Sequence, residues 1–263
     1  MLRSLYSAAS GMTAQQMNVD NIANNLANAN TTGFKMRRAH FQDLLYQNMT
    51  QAGAAAGEQT TIPAGLQLGL GTRASSNDII FTEGNLTKTD NPLDLAIQGG
   101  GFFQIRLQSG SFAYTRDGSF KLDREGNMVT AAGDFLEPPI KIPIEAQTIT
   151  VAADGKVTYT MPNKPDAQTA GQIQIAQFQN PGGLNSVGRN LFTTTDASGE
   201  AVMANPGGQE GNGTLLQNYL EQSNVSVVDE FINLIVAQRA YEANSKVVKA
   251  SDDMYQQANN LRQ

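Results

Sequence analysis

The sequence contains no cysteine and a single histidine, and these two shortages exclude much chemistry before any pattern is read. Without cysteine there is no disulfide framework, no thiolate nucleophile and no Cys-type zinc site. Any Ser-His-Asp arrangement would have to pass through His40, and neither a His-Glu-x-x-His motif nor a multi-histidine metal site can be assembled. His40 lies beside Arg38 and Phe41 and reads as a surface or interface histidine. Positive charge is also scarce: 18 Lys and Arg stand against 24 Asp and Glu, a net charge of −6, with no basic stripe to neutralise a run of phosphates. The one local cationic cluster, Lys35, Arg37 and Arg38, reads as a solvated face or a subunit contact. No uninterrupted apolar run approaches the roughly 20 residues that span a bilayer. The opening Met1-Leu2-Arg3-Ser4-Leu5-Tyr6 makes a poor secretory signal, so an exported chain is expected to travel by a route that cleaves nothing.

Short motifs supply no chemistry either. Gly99-Gly100-Gly101 is not followed by Lys-Ser/Thr and is no P-loop; it reads as a tight turn entering a buried strand at Phe102-Phe103. Asp123-Arg124-Glu125-Gly126-Asn127 has oxygens at alternate positions but lacks the bidentate Glu of an EF-hand, which leaves a hairpin turn. Nothing singles out a carboxylate pair for glycoside hydrolysis. No enzyme activity, cofactor or metal is expected.

The two ends read as helices. From Leu2 to about Asn28, Leu5, Met12, Val19 and Leu26 recur every seven residues beside Leu2, Ala9 and Ala23, with Gln16 as the polar exception, which is the seam of a coiled coil. A stop is expected near Gly33, after Asn30-Thr31-Thr32. At the other end Ser226-Val227-Val228-Asp229 has the form of a helix start, and Val227, Leu234, Tyr241, Val248 and Tyr255 follow every seven residues, flanked by Ala240, Val247, Met254 and Leu261. Between Ser4 and Phe34 the only charged residue is Asp20. Asn18, Asn21, Asn25 and Asn28 share one stripe beside the apolar seam, and neutral amides can be buried where each finds a partner. A helix of this kind is expected to be surrounded by protein, and a tightly packed polymer provides that.

The middle, 73–203, reads as all-β. Runs such as Ile79-Ile80-Phe81, Leu93 to Ile97, Phe102 to Ile105, Ile149-Thr150-Val151 and Ile173-Gln174-Ile175 alternate with turn signals at Asp117-Gly118, Glu125-Gly126-Asn127 and Asp154-Gly155. Residues 46–72 have a different texture, rich in Ala, Gly, Gln and Thr and nearly free of charge. Composition favours a flexible linker. Against that reading, Ile62, Leu66, Leu68 and Leu70 are apolar, and from Leu66 they alternate as in a strand.

Longer motifs carry a resemblance. Ala23-Asn24-Asn25-Leu26-Ala27-Asn28-Ala29-Asn30-Thr31-Thr32-Gly33-Phe34-Lys35 resembles the N-terminal signature of the bacterial flagellar rod and hook (axial) family. Glu221-Gln222-Ser223-Asn224-Val225, followed by Glu230 through Val247, is similar to that family's tail, and residues 94–105 and 114–130 resemble its β-domain. Within the family, the length and the segment 58–73 resemble the distal-rod branch; hook members are larger, and the proximal-rod branch typically lacks this segment.

The resulting expectation is an α+β chain: long terminal helices pairing as a coiled coil, a central all-β domain and an extended connecting region. The parts are 1–30 as N-terminal core helix, 31–72 as connecting region, 73–204 as β-domain, 205–224 as return connector and 225–263 as C-terminal core helix. Candidate assembly residues are Leu5, Met12, Val19, Leu26, Asn21, Asn25, Asn28, Val227, Leu234, Tyr241, Val248 and Tyr255. Ile62, Pro63, Leu66 and Leu68 are candidate rod-stiffening residues. The resemblance implies a helical homopolymer crossing the periplasm as a driveshaft. Its partners would be itself, proximal rod and hook or hook-junction subunits, the outer bushing rings and the flagellar export apparatus, with no nucleic acid and no membrane insertion. The alternatives are a proximal rod or small hook subunit of the same family and, from another class, a secreted binding module oligomerised by its helical ends.

Overall fold

In the computed structural model, which describes residues 2–50, 55–57, 60–61, 64–162, 164–207 and 213–260, the charge-poor N-terminal segment forms helix α1, Leu2–Ala27. The C-terminal heptads form helix α2, Val227–Asn260. The start of α2 follows its sequence signal: the Asp229 N–H points to Ser226 Oγ at 3.5 Å, and Asp229 and Glu230 place negative charge in the first turn, where the helix dipole favours it. α1 stops at Ala27, well ahead of Gly33, because residues 28–34 fold into successive turns closed by Thr31 N–H to Asn28 O and Phe34 N–H to Thr31 O.

Two compact units divide the chain, and the division departs from the expected one. The helical unit comprises Met1–Leu26, Arg37–Asp78 and Ser226–Gln263; the β unit comprises Ala27–Met36 and Ile79–Val225. In the helical unit, strand Arg37–Asp43 pairs with Thr72–Ile79, so residues 73–78 leave the expected β-domain. One face of α1 packs on this pair: Ala14 is buried, Ser10 Oγ accepts the Thr72 N–H at 3.3 Å, and Asn77 Nδ2 donates to Asn21 Oδ1 at 3.0 Å. Strands Tyr46–Thr50 and Leu66–Gly69 form an antiparallel ribbon with a register shift between Asn48 and Thr50.

In the β unit the main sheet runs Lys121–Leu122, Met128–Val129, Phe135–Glu137, Phe102–Arg106, Phe112–Thr115, Leu191–Thr193 and Asn185–Gly188, with Ile175–Gln177 and Val202–Ala204 branching from its centre. Strand alternation sends adjacent residues to opposite faces. Phe103 and Ile105 therefore enter the large core with Leu95, Ile97, Phe120, Leu136 and Ile175, whereas Phe102 joins Tyr114, Ala176, Leu184 and Phe192. In that smaller cluster the Phe81 and Phe102 rings meet edge to face at 5.2 Å. A three-stranded sheet, Thr148–Val151, Lys156–Met161 and Lys164–Gln172, flanks the large core.

Two local readings need correcting. Asp117-Gly118 is not a hairpin turn; it is a close approach, with the Leu95 N–H bonded to Gly118 O, and a Cβ on Gly118 would lie 1.7 Å from Leu95 O. The expected return connector 205–224 instead supplies strands: Thr214–Gln217 pairs with Leu95–Gln98, and Tyr219–Glu221 pairs with Leu86–Lys88. The partners lie more than a hundred residues back in the chain, where no local pattern can announce the pairing.

Candidate assembly site

Contacts between the terminal helices run antiparallel. Asn25 meets Glu230 near the end of α1 and the start of α2, while a Cβ on Gly11 would lie 2.8 Å from Asn244 Nδ2 further along both. The sides turned inward differ from the apolar stripes expected. On α1 the buried residues are Ala8, Ala14, Ile22 and Asn25, and Leu5, Met12, Val19 and Leu26 are half-buried beside them. On α2 the buried residues are Glu230, Ala237 and Ser251, which share a seven-residue spacing with Asn244. Leu234 and Val248 are half-buried, whereas Val227, Tyr241 and Tyr255 are exposed. Ala8, Ala237 and Ser251 let the two helix backbones approach closely, Asn25 and Glu230 are buried as a bonded polar pair, and of the larger apolar side chains expected in the seam none is fully buried. Val19 and Tyr241 do come together: with Gln16, Gln238 and Glu242 they line a cleft of about 390 Å³ between the helices.

Asn25 ties three segments of the helical unit. Its Nδ2 donates to Arg37 O at 2.9 Å and to Glu230 Oε2 at 3.3 Å, and its Oδ1 accepts the Arg37 N–H at 2.9 Å. Two more amides of the stripe find partners within the chain: Asn21 is bonded to Asn77, and Asn28 Oδ1 accepts from Thr31 Oγ1. Asn25 is therefore a joint inside the subunit and not, as expected, a group offered to a neighbour.

Asn224 plays the same part in the β unit. Its Oδ1 accepts the Met36 N–H at 2.8 Å, and its Nδ2 donates to Ile80 O at 2.8 Å and Thr82 Oγ1 at 3.0 Å. Beside it lies an ion cluster. The side chains of Lys35 and Glu221 are 0% exposed and bonded to each other, and Arg116 Nη1 reaches the other Glu221 oxygen at 3.3 Å. Lys35 also donates to Thr82 O, Arg116 donates to Ile97 O and Gly99 O, and Glu221 accepts the Gly84 N–H. Burial holds the Lys35 ammonium below its ordinary range against the opposing pull of Glu221, and burial likewise lowers Arg116. Lys35 is therefore neither on a solvated face nor at a subunit contact: its ammonium is buried against Glu221, a counter-charge 186 residues downstream that local sequence does not reveal. Gly33 opens the way for this segment: at φ +68° it brings its backbone against Asp117, where a Cβ would lie 2.6 Å from the Asp117 nitrogen.

The ribbon of strands Tyr46–Thr50 and Leu66–Gly69 exposes both faces. Leu66 and Leu68 are 55% and 40% exposed, and Tyr46 and Met49 are exposed as well. Ile62 and Pro63 lie outside the described residues. A second uncovered apolar area is the first half of α2, where Val228, Phe231, Ile232, Ile235 and Val236 are each at least 49% exposed. Patches of this kind mark contact surfaces.

His40 is half-exposed and lies 3.3 Å from Asp78. Among the described residues no group of three or more His, Asp or Glu could hold a metal ion. Among the described residues no helix is long and apolar enough to cross a membrane. Glu221, Asn224, Arg116 and Glu230 are not among the site residues expected from the sequence, although all four sit inside the family-like motifs.

Comparison with known proteins matches these features to one family. The flagella basal body rod protein model matches residues 5–35, the flagellar hook protein FlgE/F/G D1 domain matches 96–159, and the flagellar basal body rod FlgEFG protein C-terminal model matches 216–261. The flagellar basal-body rod protein FlgG of Caulobacter vibrioides is 50% identical, covering 99% of this chain and 100% of its own length. FlgG of Borreliella burgdorferi is 48% identical over 100% of this chain and 99% of its own length, and FlgG of Bacillus subtilis is 42% identical over 100% of both. With its termini and its β unit all matched along the whole length, the chain belongs to the flagellar basal-body rod protein family.

Proposed function

We propose that this protein is the structural subunit of the distal rod of the bacterial flagellar basal body, polymerising into a rigid helical tube that transmits motor torque to the hook. The observation that carries the reading is full-length identity to flagellar basal-body rod proteins. The exposed apolar face on the first half of α2 and the two-sided exposure of the Tyr46–Thr50 and Leu66–Gly69 ribbon support it, since neighbouring subunits would cover both. In this reading α1 and α2 pair antiparallel as a coiled coil lining the inner tube, with the Glu230, Ala237, Asn244 and Ser251 stripe of α2 facing α1, and Leu5, Met12, Leu26, Leu234 and Val248 border the contacts between subunits. The polymer spans the periplasm, joins proximal rod subunits at one end and hook or hook-junction subunits at the other, and turns inside the outer bushing rings after delivery by the flagellar export apparatus. Its role is mechanical, with no catalytic step, cofactor or metal assigned.

The ribbon separates the distal from the proximal reading. A two-stranded ribbon exposed on both faces is marginal by itself. Leu66 and Leu68 covered at every subunit contact would restrict sliding and keep the tube straight. Deleting residues 50–66 tests this by electron microscopy of the purified basal structure. Curved or pliable polymers are the expected result; straight, rigid rods would return the segment to a linker and favour a proximal rod subunit.

A further inference from the structure

Two cations, Lys35 and Arg116, are buried in the β unit, and one carboxylate, Glu221, contacts both. Glu83 is the other charged group acting on them; it is exposed, and its Oε2 accepts the Gly99 N–H at 3.1 Å. Glu221 is separated from Lys35 by 186 residues and from Arg116 by 105. Around it, residues 213–224 close hydrogen bonds on several earlier segments. Gly213 N–H bonds to Gly100 O, Asn218 N–H to Asp94 O and Gln222 N–H to Asn85 O, while the Gly33 N–H bonds to Glu221 O. The Gln217 side chain donates to Pro92 O and Ile149 O and accepts the Val151 N–H. Strand Leu95–Gln98, whose Leu95, Ala96 and Ile97 are 0% exposed, finds its ladder partner in Thr214–Gln217, and Leu215 enters the large core.

From this we infer that residues 213–224 are a closing latch: the β unit does not reach its protected, native state until this last stretch has joined and Glu221 has neutralised Lys35 and Arg116. Before that point the most buried strand has its ladder unpaired, backbone groups on several earlier segments lack partners, and two cations would have to enter the core with no counter-charge in contact. Each of these opposes packing. A chain arriving N-terminus first, from a ribosome or through a narrow conduit, therefore stays open over most of its length until residue 224 is free. The latch goes beyond the rod reading. It is a property of the β unit alone and holds whatever the unit assembles into.

Pulsed hydrogen exchange during refolding of the full-length chain tests the order. The Ile105 and Ala113 amides, in the central sheet and away from the latch, are expected to gain protection in the same kinetic phase as Leu215 and Leu220. Protection of Ile105 and Ala113 in an earlier phase overturns the latch. Glu221→Gln in the full chain, measured at equilibrium, is expected to speed exchange at Ile105 and Ala113 as well as at Gly33 and Gly84, by about a hundredfold or more, because it leaves two buried cations without their counter-charge. Faster exchange confined to Gly33 and Gly84 would reduce Glu221 to a local ion pair. If that variant proves too unstable to refold, the wild-type kinetic order decides alone.

Discussion

Asn25 offers the sharpest test of how the helical unit is held together. Asn25→Ala removes a donor to Arg37 O, a donor to the Glu230 carboxylate and an acceptor for the Arg37 N–H. Each orphaned buried group costs about 1–3 kcal/mol, and Arg37 is only half-buried, so a loss of about 2–4 kcal/mol is expected for the helical unit. Asn25→Asp is the more telling change. It keeps the acceptor for Arg37 but sets a second carboxylate beside Glu230, at the 3.3 Å now separating Nδ2 from Oε2. Two charges at that distance repel by roughly 5 kcal/mol at an effective dielectric of about 20 before any relaxation. The repulsion raises the folded-state pKa of the carboxylate pair, so the penalty is absent below the ordinary carboxylate range and grows as pH climbs through the raised value. Urea unfolding of the full chain, followed by helical circular dichroism at pH 4 and pH 7, reads both effects. Asn25→Ala should lower the helix midpoint at both pH values and Asn25→Asp mainly at pH 7, with the β unit's own transition unmoved. Equal midpoints for the two variants at both pH values would refute the joint as described.

Other outcomes follow from the same contacts. Leu26→Asp or Leu234→Asp places a charge at the border of the helix contacts, so the β unit should fold while polymers fail to form; normal motility with either change would contradict this placement. Gly118→Ala, whose Cβ would lie 1.7 Å from Leu95 O, should destabilise the β unit by about 3 kcal/mol, read as a lower denaturant midpoint, and a wild-type midpoint would contradict it. Burial sets Lys35 below its ordinary 10.5, so the unfolded chain keeps that proton to higher pH. The Lys35 contribution therefore makes stability rise with pH between the lowered value and 10.5, and Lys35→Met should flatten that rise. Tyr114, raised by burial, pulls the other way in both proteins, so identical alkaline slopes would refute the effect.

Periodicity exposed what local patterning controls and missed what distant pairing controls. Both helices and the strands around Phe103 and Val151 were legible because apolar spacing and turn residues are written within a few residues of one another. The true inner stripe of α2, Glu230, Ala237, Asn244 and Ser251, has the same seven-residue period but no hydrophobicity to betray it. Lys35 looked like a surface cation because its carboxylate is 186 residues downstream. Residues 213–224 looked like a connector because their ladder partners, Leu86–Lys88 and Leu95–Gln98, are equally remote. The asparagines of α1 were recognised as needing partners, but the partners turned out to be Arg37, Asn77, Glu230 and Thr31 of the same chain. The family-like motifs contain Asn25, Gly33, Lys35, Arg116, Glu221, Asn224 and Glu230, and the geometry supplies the physical reason for each.

Electron cryomicroscopy of the polymer formed by the purified full-length chain tests the central claim most directly. A straight tube is the expected result, with α1 and α2 of successive subunits lining its bore and the exposed Val228, Phe231, Ile232, Ile235 and Val236 face covered by a neighbour. A chain that stays monomeric at every concentration, or a polymer in which that face remains open to solvent, would contradict it.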